Sequence, residues 1–390
     1  MKPTIVHVIS TLQSSGPQRL VLDLAATPEL AGFTHKALCV FSKKGELAPT
    51  YQDAGIETIF CPFPIADELP IPSYRAARWV ARRLETTFPA RLAAALKRMR
   101  ADLVHTNVTS RIDLQAEGAM AKAGRPMIWT IHGLQSRSQE NFQRRARAAE
   151  WIGNGRGAIT AVSQAVADDM AQSTGIAADS IQVVFGGVNL SRFNGARSDS
   201  LRARLGIGPD AVLFGAVGLL QPEKGHDIFV DAARLLGESP AAFVVAGPGA
   251  LRAQLEARIR EHGLAGRFHL IGYEPNVPAF LKELDVFVFP SRREGFGLAL
   301  IEAMASERPC IASAIGGIPE IIGEHGGVLV PPESPEALAG AMRIMLSPDA
   351  RAGYARAAAI AAARFSIHAS AARYAEIYCT LLPSSGSEIR

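Results

Sequence analysis

Glu294 and Glu302 stand eight positions apart, and the run Glu294-Gly295-Phe296-Gly297-Leu298 carries two glycines separated by one residue. Upstream, residues 285–289 (DVFVF) form a short apolar, β-rich run that reads as a buried parallel strand. Pro290, Gly295 and Gly297 interrupt regular structure until a helical pattern opens near Leu298. Glu294 is thus expected in a loop at a strand's carboxyl end, with Glu302 about one turn inside the next helix. Ligands of open α/β sheets bind at such ends, and glycine-flanked N–H groups at a helix N-terminus suit a phosphate. Carboxylates beside an anion seat make sense for a ligand that is both phosphorylated and hydroxylated. A nucleotide sugar is such a ligand: its diphosphate suits the amides, and its ribose and sugar hydroxyls suit the carboxylates. The plainer alternative is a solvated Glu294 and a Glu302 that only complements the helix dipole.

Other strand-end turns carry candidate groups. Gly16, ahead of Pro17, opens a helix after the first strand, where a glycine lets a ligand approach the backbone. In the second half, Gly218 and Lys224 follow a strand in GAVGLLQPEKGH, and Lys224 suits a diphosphate as a point charge. A lysine at a helix N-terminus opposes the dipole, which favours ligand contact over an idle solvent position. His132 in TIHG lies at another strand end and reads equally as a structural or a substrate-facing group. His105, inside LVHTN, reads as a buried structural residue. The loop 316–320 (GGIPE) repeats the strand–glycine–helix theme. No nucleophile elbow, Asp-x-Asp pair or His/Cys ligand spacing accompanies these groups.

These groups need strands to carry them. β-rich runs at 4–9, 36–41, 57–60, 102–106, 127–131, 158–161 and 181–184 alternate with helical patterns near 17–26, 73–100, 112–123, 139–151 and 163–173. The stretch 189–200 breaks the series. It restarts at 211–217, 241–246, 268–271, 285–289, 310–312 and 328–330, with helices at 224–236, 251–262, 277–283, 298–305, 335–346, 349–364 and 367–382. This alternation predicts an α/β protein of two doubly wound, Rossmann-like domains facing an interdomain cleft. The expected parts are 1–190, 191–365, a last helix at 366–382 and a polar tail at 383–390.

At 390 residues, 48% hydrophobic and 20% charged, the chain can build two soluble globular cores. No apolar run reaches the ~18 residues of a membrane span, and the start goes straight into a strand pattern without a leader's apolar core. Four scattered cysteines read as reduced thiols. A cytoplasmic location is therefore expected. The net charge of +4 is uneven, residues 1–195 holding 22 Lys and Arg against 16 Asp and Glu. Much of that excess lies between Arg75 and Arg100, a basic amphipathic pattern expected to break near Pro89. It suits a solvated face or peripheral contact with the inner face of the cell membrane, whereas nucleic acid is disfavoured for want of an aromatic platform.

Taken in order, these elements resemble the retaining glycosyltransferases of family 4, with the GT-B fold. The resemblance covers nearly the whole chain. It is strongest over 287–321, where Glu294-Gly295-Phe296-Gly297, Glu302-Ala303-Met304 and the 316–320 loop match the family's Glu-x7-Glu signature. Residues 162–166 (VSQAV) and 187–193 (GVNLSRF) look like two further landmarks. The resemblance implies that Glu302 holds the donor ribose. It gives Glu294, with the amides near Phe296 and Gly297, the transferred sugar; Gly295 and Leu298 beside them, and the strand-end turns at Gly16 and Gly218, are further candidate donor contacts, Gly16 facing either a phosphate or an acceptor. Lys224 would neutralise the diphosphate, and His132 would contact the sugar. Such enzymes use no metal or cofactor. They take a UDP- or GDP-sugar as co-substrate and keep the anomeric configuration. The hydroxyl acceptor would belong to polysaccharide, lipopolysaccharide or glycolipid synthesis, for instance a lipid-linked saccharide.

The chain also departs from the family. Relatives carry an arginine shortly before the lysine, at the position of Leu219 or of Gln221. Arg292 and Arg293 are the candidate replacements for that diphosphate cation. The amino-terminal Gly-Gly-Ala-Glu is Ser15-Gly16-Pro17-Gln18, and Asn-Gly-Val-Asp is Gly186-Gly187-Val188-Asn189. Two alternatives stay open: a nucleotide-sugar-binding protein without turnover, and a nucleotide-sugar epimerase or hydrolase on the same fold.

Overall fold

The structure is a computed structural model describing residues 1–13, 16–41, 45–62, 74–107, 123–134, 146, 149–150, 152–195 and 200–382, with the backbone alone for 74–85 and 153. The helices expected near 112–123 and 139–151, and the tail 383–390, lie wholly or largely outside the described residues. The chain divides into two compact units, Met1–Gly186 with Ile367–Arg390, and Gly187–Ser366.

The first unit holds strands β1 (Thr4–Ile9), β2 (Thr34–Cys39), β3 (Glu57–Phe60), β4 (Leu103–Thr106), β5 (Met127–Ile131), β6 (Gly157–Ala161) and β7 (Ile181–Val183). They form one sheet in the order β3-β2-β1-β4-β5-β6-β7, all pairs parallel. The order reverses direction between β1 and β4, which is where a doubly wound sheet opens its crevice. Strands β4 and β5 are buried throughout, as expected of central strands in a sheet covered on both faces.

The helix Tyr74–Arg98 runs 25 residues without the break expected near Pro89. A proline inside a helix costs about 3 kcal/mol through its missing N–H and its clash with the carbonyl four residues back. Phe88, Leu92 and Leu96 are fully buried along this stretch, and each such side chain contributes about 1.5–3 kcal/mol. Their summed burial exceeds the proline's cost, so the helix continues.

The last helix, Ile367–Leu381, belongs to this unit. Its Ile367, Ala371, Tyr374, Ile377 and Tyr378 join a core with Leu20, Leu24, Leu30 and Leu103. Beneath it the sheet carries a layer of buried polar groups. His105 contacts the Tyr378 hydroxyl through Nδ1 at 2.8 Å and Thr130 Oγ1 through Nε2 at 2.6 Å. Thr130 Oγ1 also meets Thr160 Oγ1 at 2.8 Å and the Tyr374 hydroxyl at 3.2 Å. His7 Nε2 meets His35 Nδ1 at 3.0 Å, and the His7 and His105 rings lie 5.2 Å apart.

Burial lowers all three imidazoles, that of His105 to about 3. Between the unfolded value near 6.5 and these folded values, the unfolded chain binds protons that the folded one refuses. Stability is therefore complete above pH ~6.5 and declines as the pH falls toward 3. His105 alone is expected to remove about 2 kcal/mol at pH 5. Thermal unfolding should show a melting temperature several degrees lower at pH 5 than at pH 7.5, with His105→Gln flattening the slope. Equal melting at both pH values would contradict this arrangement.

The second unit holds β8 (Val212–Val217), β9 (Ala241–Ala246), β10 (Phe268–Gly272), β11 (Val286–Phe289), β12 (Cys310–Ser313) and β13 (Val328–Val330). Their order is β10-β9-β8-β11-β12-β13, again all parallel. Strands β9, β11 and β12 are buried throughout, and Phe214, Phe229, Phe243 and Phe268 anchor the main core. The switch point lies between β8 and β11. The helix expected from Lys224 begins instead at His226 (His226–Leu235). Lys224 ends a separate 3-10 turn, Pro222–Lys224, because Gly225 between them takes a left-handed φ of 64°. The short helices Ala48–Asp53 and Ser200–Leu205 were not expected from the sequence pattern, whereas Ile318–Ile322 follows Gly317 as the strand–glycine–helix theme of 316–320 implied.

Candidate functional site

The loops leaving β8 and β11 meet at the second unit's switch point. Gly225 permits the meeting, since a Cβ there would stand 2.0 Å from the Pro290 carbonyl oxygen. Around that contact Arg292 fastens one loop to the other. Its backbone N–H donates to the Glu223 carbonyl at 2.8 Å. Its guanidinium donates to the Pro222 carbonyl at 2.9 Å, to both Asp227 oxygens at 2.7 and 2.8 Å, and to Glu333. The Asp227 carboxylate, followed by Glu333, raises the Arg292 pKa, while the same guanidinium holds Asp227 low against its burial.

Lys224 emerges from this junction and reaches Glu294, Nζ to Oε2 at 2.7 Å. The two side chains are 28% and 16% exposed, so the pair is sheltered from bulk water yet open to a ligand. Nζ also lies 5.7 Å from the centroid of the Phe289 ring, a cation–π distance. The Lys224 stem runs along Gly218, where a Cβ would stand 3.7 Å from its Cγ and Cδ.

Two polar groups close in sequence to the pair are almost fully buried. His226 is 3% exposed with its ring against the Gly218 and Leu219 backbone, and Ser291 is 1% exposed with its hydroxyl unpaired among the described residues. Burial, the largest influence, lowers the His226 imidazole to about 4. A buried hydroxyl left unpaired, as at Ser291, is rare in folded proteins, because an unmade buried hydrogen bond costs about 1–3 kcal/mol. Sequence reasoning passed over His226, Asp227 and Ser291. Their only signal was adjacency to Lys224 and Glu294.

Beyond Glu294 the chain turns into the helix Leu298–Ala305 through Gly297, at φ 111°. A Cβ on Gly297 would press to 3.2 Å from the Phe289 ring. Phe296 is a core residue, 4% exposed and edge-to-face with Phe365 at 5.6 Å, so it offers a ligand its backbone and not its ring. Gly295 and Gly297 are likewise buried, and Leu298 is half-buried. The helix's first N–H groups precede any intrahelical acceptor. Glu302 is half-buried in its second turn, away from the Lys224–Glu294 pair in sequence and on a different element. Of the positions where relatives carry arginine, Leu219 is 43% exposed and Gln221 is exposed. Arg293 is exposed, with its backbone N–H on the Glu223 carbonyl.

In the first unit, Gly16 is the first residue of the helix Gly16–Ala25. Gln18, 2% exposed, donates to Ser10 Oγ at 2.6 Å. His132 follows β5, half-buried, with Nε2 3.1 Å from Asn107 Oδ1. Burial lowers its imidazole to about 4, so it is neutral at pH 7.

A cavity of about 670 Å³ lined by Arg234, Pro240, His262 and Arg267 opens at the opposite end of the second sheet, before β9 and β10. Arg267 is engaged there with the Gly237, Ser239 and Ala241 carbonyls. Doubly wound sheets bind ligands at the other edge. Among the described residues, no group of His, Cys, Asp and Glu could hold a metal ion, and no helix is long and apolar enough to cross a membrane.

Two family models match the chain, glycosyltransferase family 4 over residues 15–192 and glycosyl transferases group 1 over residues 198–364. A D-inositol 3-phosphate glycosyltransferase of Xylanimonas cellulosilytica is 30% identical over 302 residues, covering 71% of each chain. A D-inositol 3-phosphate glycosyltransferase of Streptomyces bingchenggensis is 34% identical over 238 residues, 56% of this chain and 52% of its own. The chain spans about half the length of the first curated relatives it matches. Anabaena Alr3699/HepE, solved in complex with UDP-glucose, superimposes with a TM-score of 0.80 at 21% identity, over 97% of this chain and 100% of its own.

Proposed function

Since the chain belongs to the family 4 glycosyltransferases and folds as two Rossmann-like units of the GT-B kind, we propose that it moves a sugar from a nucleoside-diphosphate sugar to a hydroxyl acceptor. The observation that carries this reading is the Lys224–Glu294 pair at the β8/β11 switch point. A cation and a carboxylate already in contact can separate onto a ligand that presents a diphosphate to one and hydroxyls to the other.

Lys224 is assigned the diphosphate, Glu294 with the 295–298 backbone the transferred sugar, and Glu302 the ribose. The Gly218 turn lines the donor in this assignment. Gly16 and His132, in the first unit, are assigned substrate contacts. Of the two arginines weighed as a second diphosphate cation, Arg292 is engaged by Asp227 and Glu333 and serves as a clamp, which leaves Arg293 as the candidate. The reaction is retaining and metal-independent: the bond from the anomeric carbon to the diphosphate oxygen breaks, and the acceptor oxygen bonds on the same face. The acceptor's proton passes to the leaving phosphate. The protein's task is then charge stabilisation of that leaving group. The proposed acceptor is a lipid-linked saccharide at a membrane surface. Support for this lies in the exposed Lys97, Arg98 and Arg100 where the basic helix Tyr74–Arg98 ends.

A panel of UDP-, GDP- and ADP-sugars, offered with and without lipid-linked saccharides, tests the proposal. Turnover with at least one donor is expected, undiminished by EDTA, with product anomers matching the donor's by NMR. No turnover and no thermal protection by any donor would remove the reading. An inverted product would remove the retaining mechanism alone.

A further inference from the structure

His132 is presented to its surroundings in one defined tautomer, and the residue that selects it is Asn107. Asn107 follows β4 and is 3% exposed, with its backbone N–H on the Val8 carbonyl at 2.9 Å. Its amide group is oriented by the main chain. Nδ2 donates to the His105 carbonyl at 3.3 Å, and the reverse orientation would set two oxygens against each other. Oδ1 therefore faces His132 Nε2, at 3.1 Å. An amide oxygen only accepts, so Nε2 must carry the hydrogen.

The other nitrogen follows from this. The neutral imidazole has one N–H, and here it is on Nε2. Nδ1 is left as an acceptor, and among the described residues no hydrogen bond to it is formed. We propose that Asn107 is a positioning residue that holds His132 as the Nε2–H tautomer, so that Nδ1 accepts a hydrogen bond from a substrate hydroxyl. This rests on the glycosyl-transfer reading for the identity of the substrate, and on hydrogen-bond geometry alone for the tautomer. Burial supports it further, since an imidazole lowered to about 4 stays neutral and keeps Nδ1 bare across the physiological range. A histidine in this state discriminates between hydroxyl and ether or deoxy groups, because only the hydroxyl can donate to it.

Two readouts test the role, one needing no turnover. With ¹⁵N-histidine labelling and His132→Gln to identify the signal, wild-type NMR at pH 7.5 should show His132 protonated at Nε2. Asn107→Leu, of similar size, leaves a sheltered N–H without an acceptor. That costs about 1–3 kcal/mol, enough to move the proton toward Nδ1. Turnover should then fall by roughly tenfold to a hundredfold, in kcat more than in KM. Asn107→Asp keeps the acceptor toward Nε2 but sets its second oxygen against the His105 carbonyl, so it should lower the melting temperature while restoring the tautomer and part of the turnover, and its carboxylate should raise the His132 pKa and shift the acid limb of the pH–rate profile upward.

A wild-type His132 protonated at Nδ1 would overturn the proposal, as would an Asn107→Leu enzyme with normal kcat and unchanged tautomer. Should no donor be turned over while the Nε2–H tautomer is found and lost in Asn107→Leu, the positioning role stands and the glycosyl-transfer reading falls.

Discussion

Lys224→Met is expected to lower turnover by roughly 10²–10³, the usual effect of deleting one charge-stabilising group at a reacting centre. Methionine keeps the length of the stem along Gly218 and removes only the ammonium. The loss should be severe in this chain because the customary neighbouring arginine is absent: Leu219 and Gln221 occupy its positions, and Arg292 is bound by Asp227 and Glu333. The substitution also leaves Glu294, 16% exposed, without its 2.7 Å partner, so some destabilisation accompanies it. Lys224→Met/Glu294→Gln separates the two effects. The double variant should recover the wild-type melting temperature and remain inactive. If activity returned with stability, the pair would be a structural ion pair and no more.

The second large effect belongs to a residue with no side chain. Gly225→Ala combines a left-handed φ of 64° with a Cβ placed 2.0 Å from the Pro290 carbonyl oxygen. Gly206 provides the control, for it has nearly the same φ, 67°, and nothing within 4 Å of a Cβ. Gly206→Ala should therefore cost only the backbone strain, about 1–2 kcal/mol. Gly225→Ala adds an overpacking cost of about 1–3 kcal/mol and pushes the β8 and β11 loops apart. Lys224 then loses its alignment with Glu294, and an error near 1 Å in such positioning can cost about 10² in rate. Melting curves and turnover on both variants check this. Equal melting and equal activity would show that the loop junction tolerates what the geometry forbids.

The sequence made the sheets legible because most strands are short, apolar-rich runs bounded by turn residues. The runs at 4–9, 127–131, 241–246 and 328–330 coincide with β1, β5, β9 and β13. Alternation with helices made the topology legible, and the topology brought the loops after β8 and β11 together. The pairing of Lys224 with Glu294 was not legible, because the two lie 70 residues apart and each looked like a separate ligand contact. The same applies to Arg292, whose partner Asp227 is 65 positions away and turns a candidate cation into a clamp. Pro89 misled because local propensity signals a break, whereas Phe88, Leu92 and Leu96 find burial that only the tertiary structure supplies. Asn107 escaped notice for the reason that its importance lies in the direction of an amide group.

The central claim is that Lys224 leaves Glu294 for a diphosphate. Calorimetric titration of the wild type and Lys224→Met with UDP, UMP, GDP and GMP tests it without needing an acceptor. The wild type should bind one of the diphosphates at least tenfold more tightly than its monophosphate, about 1.4 kcal/mol of added affinity, and Lys224→Met should lose most of that preference, any remainder falling to Arg293. A preference for the diphosphate that survives undiminished in Lys224→Met would contradict the account.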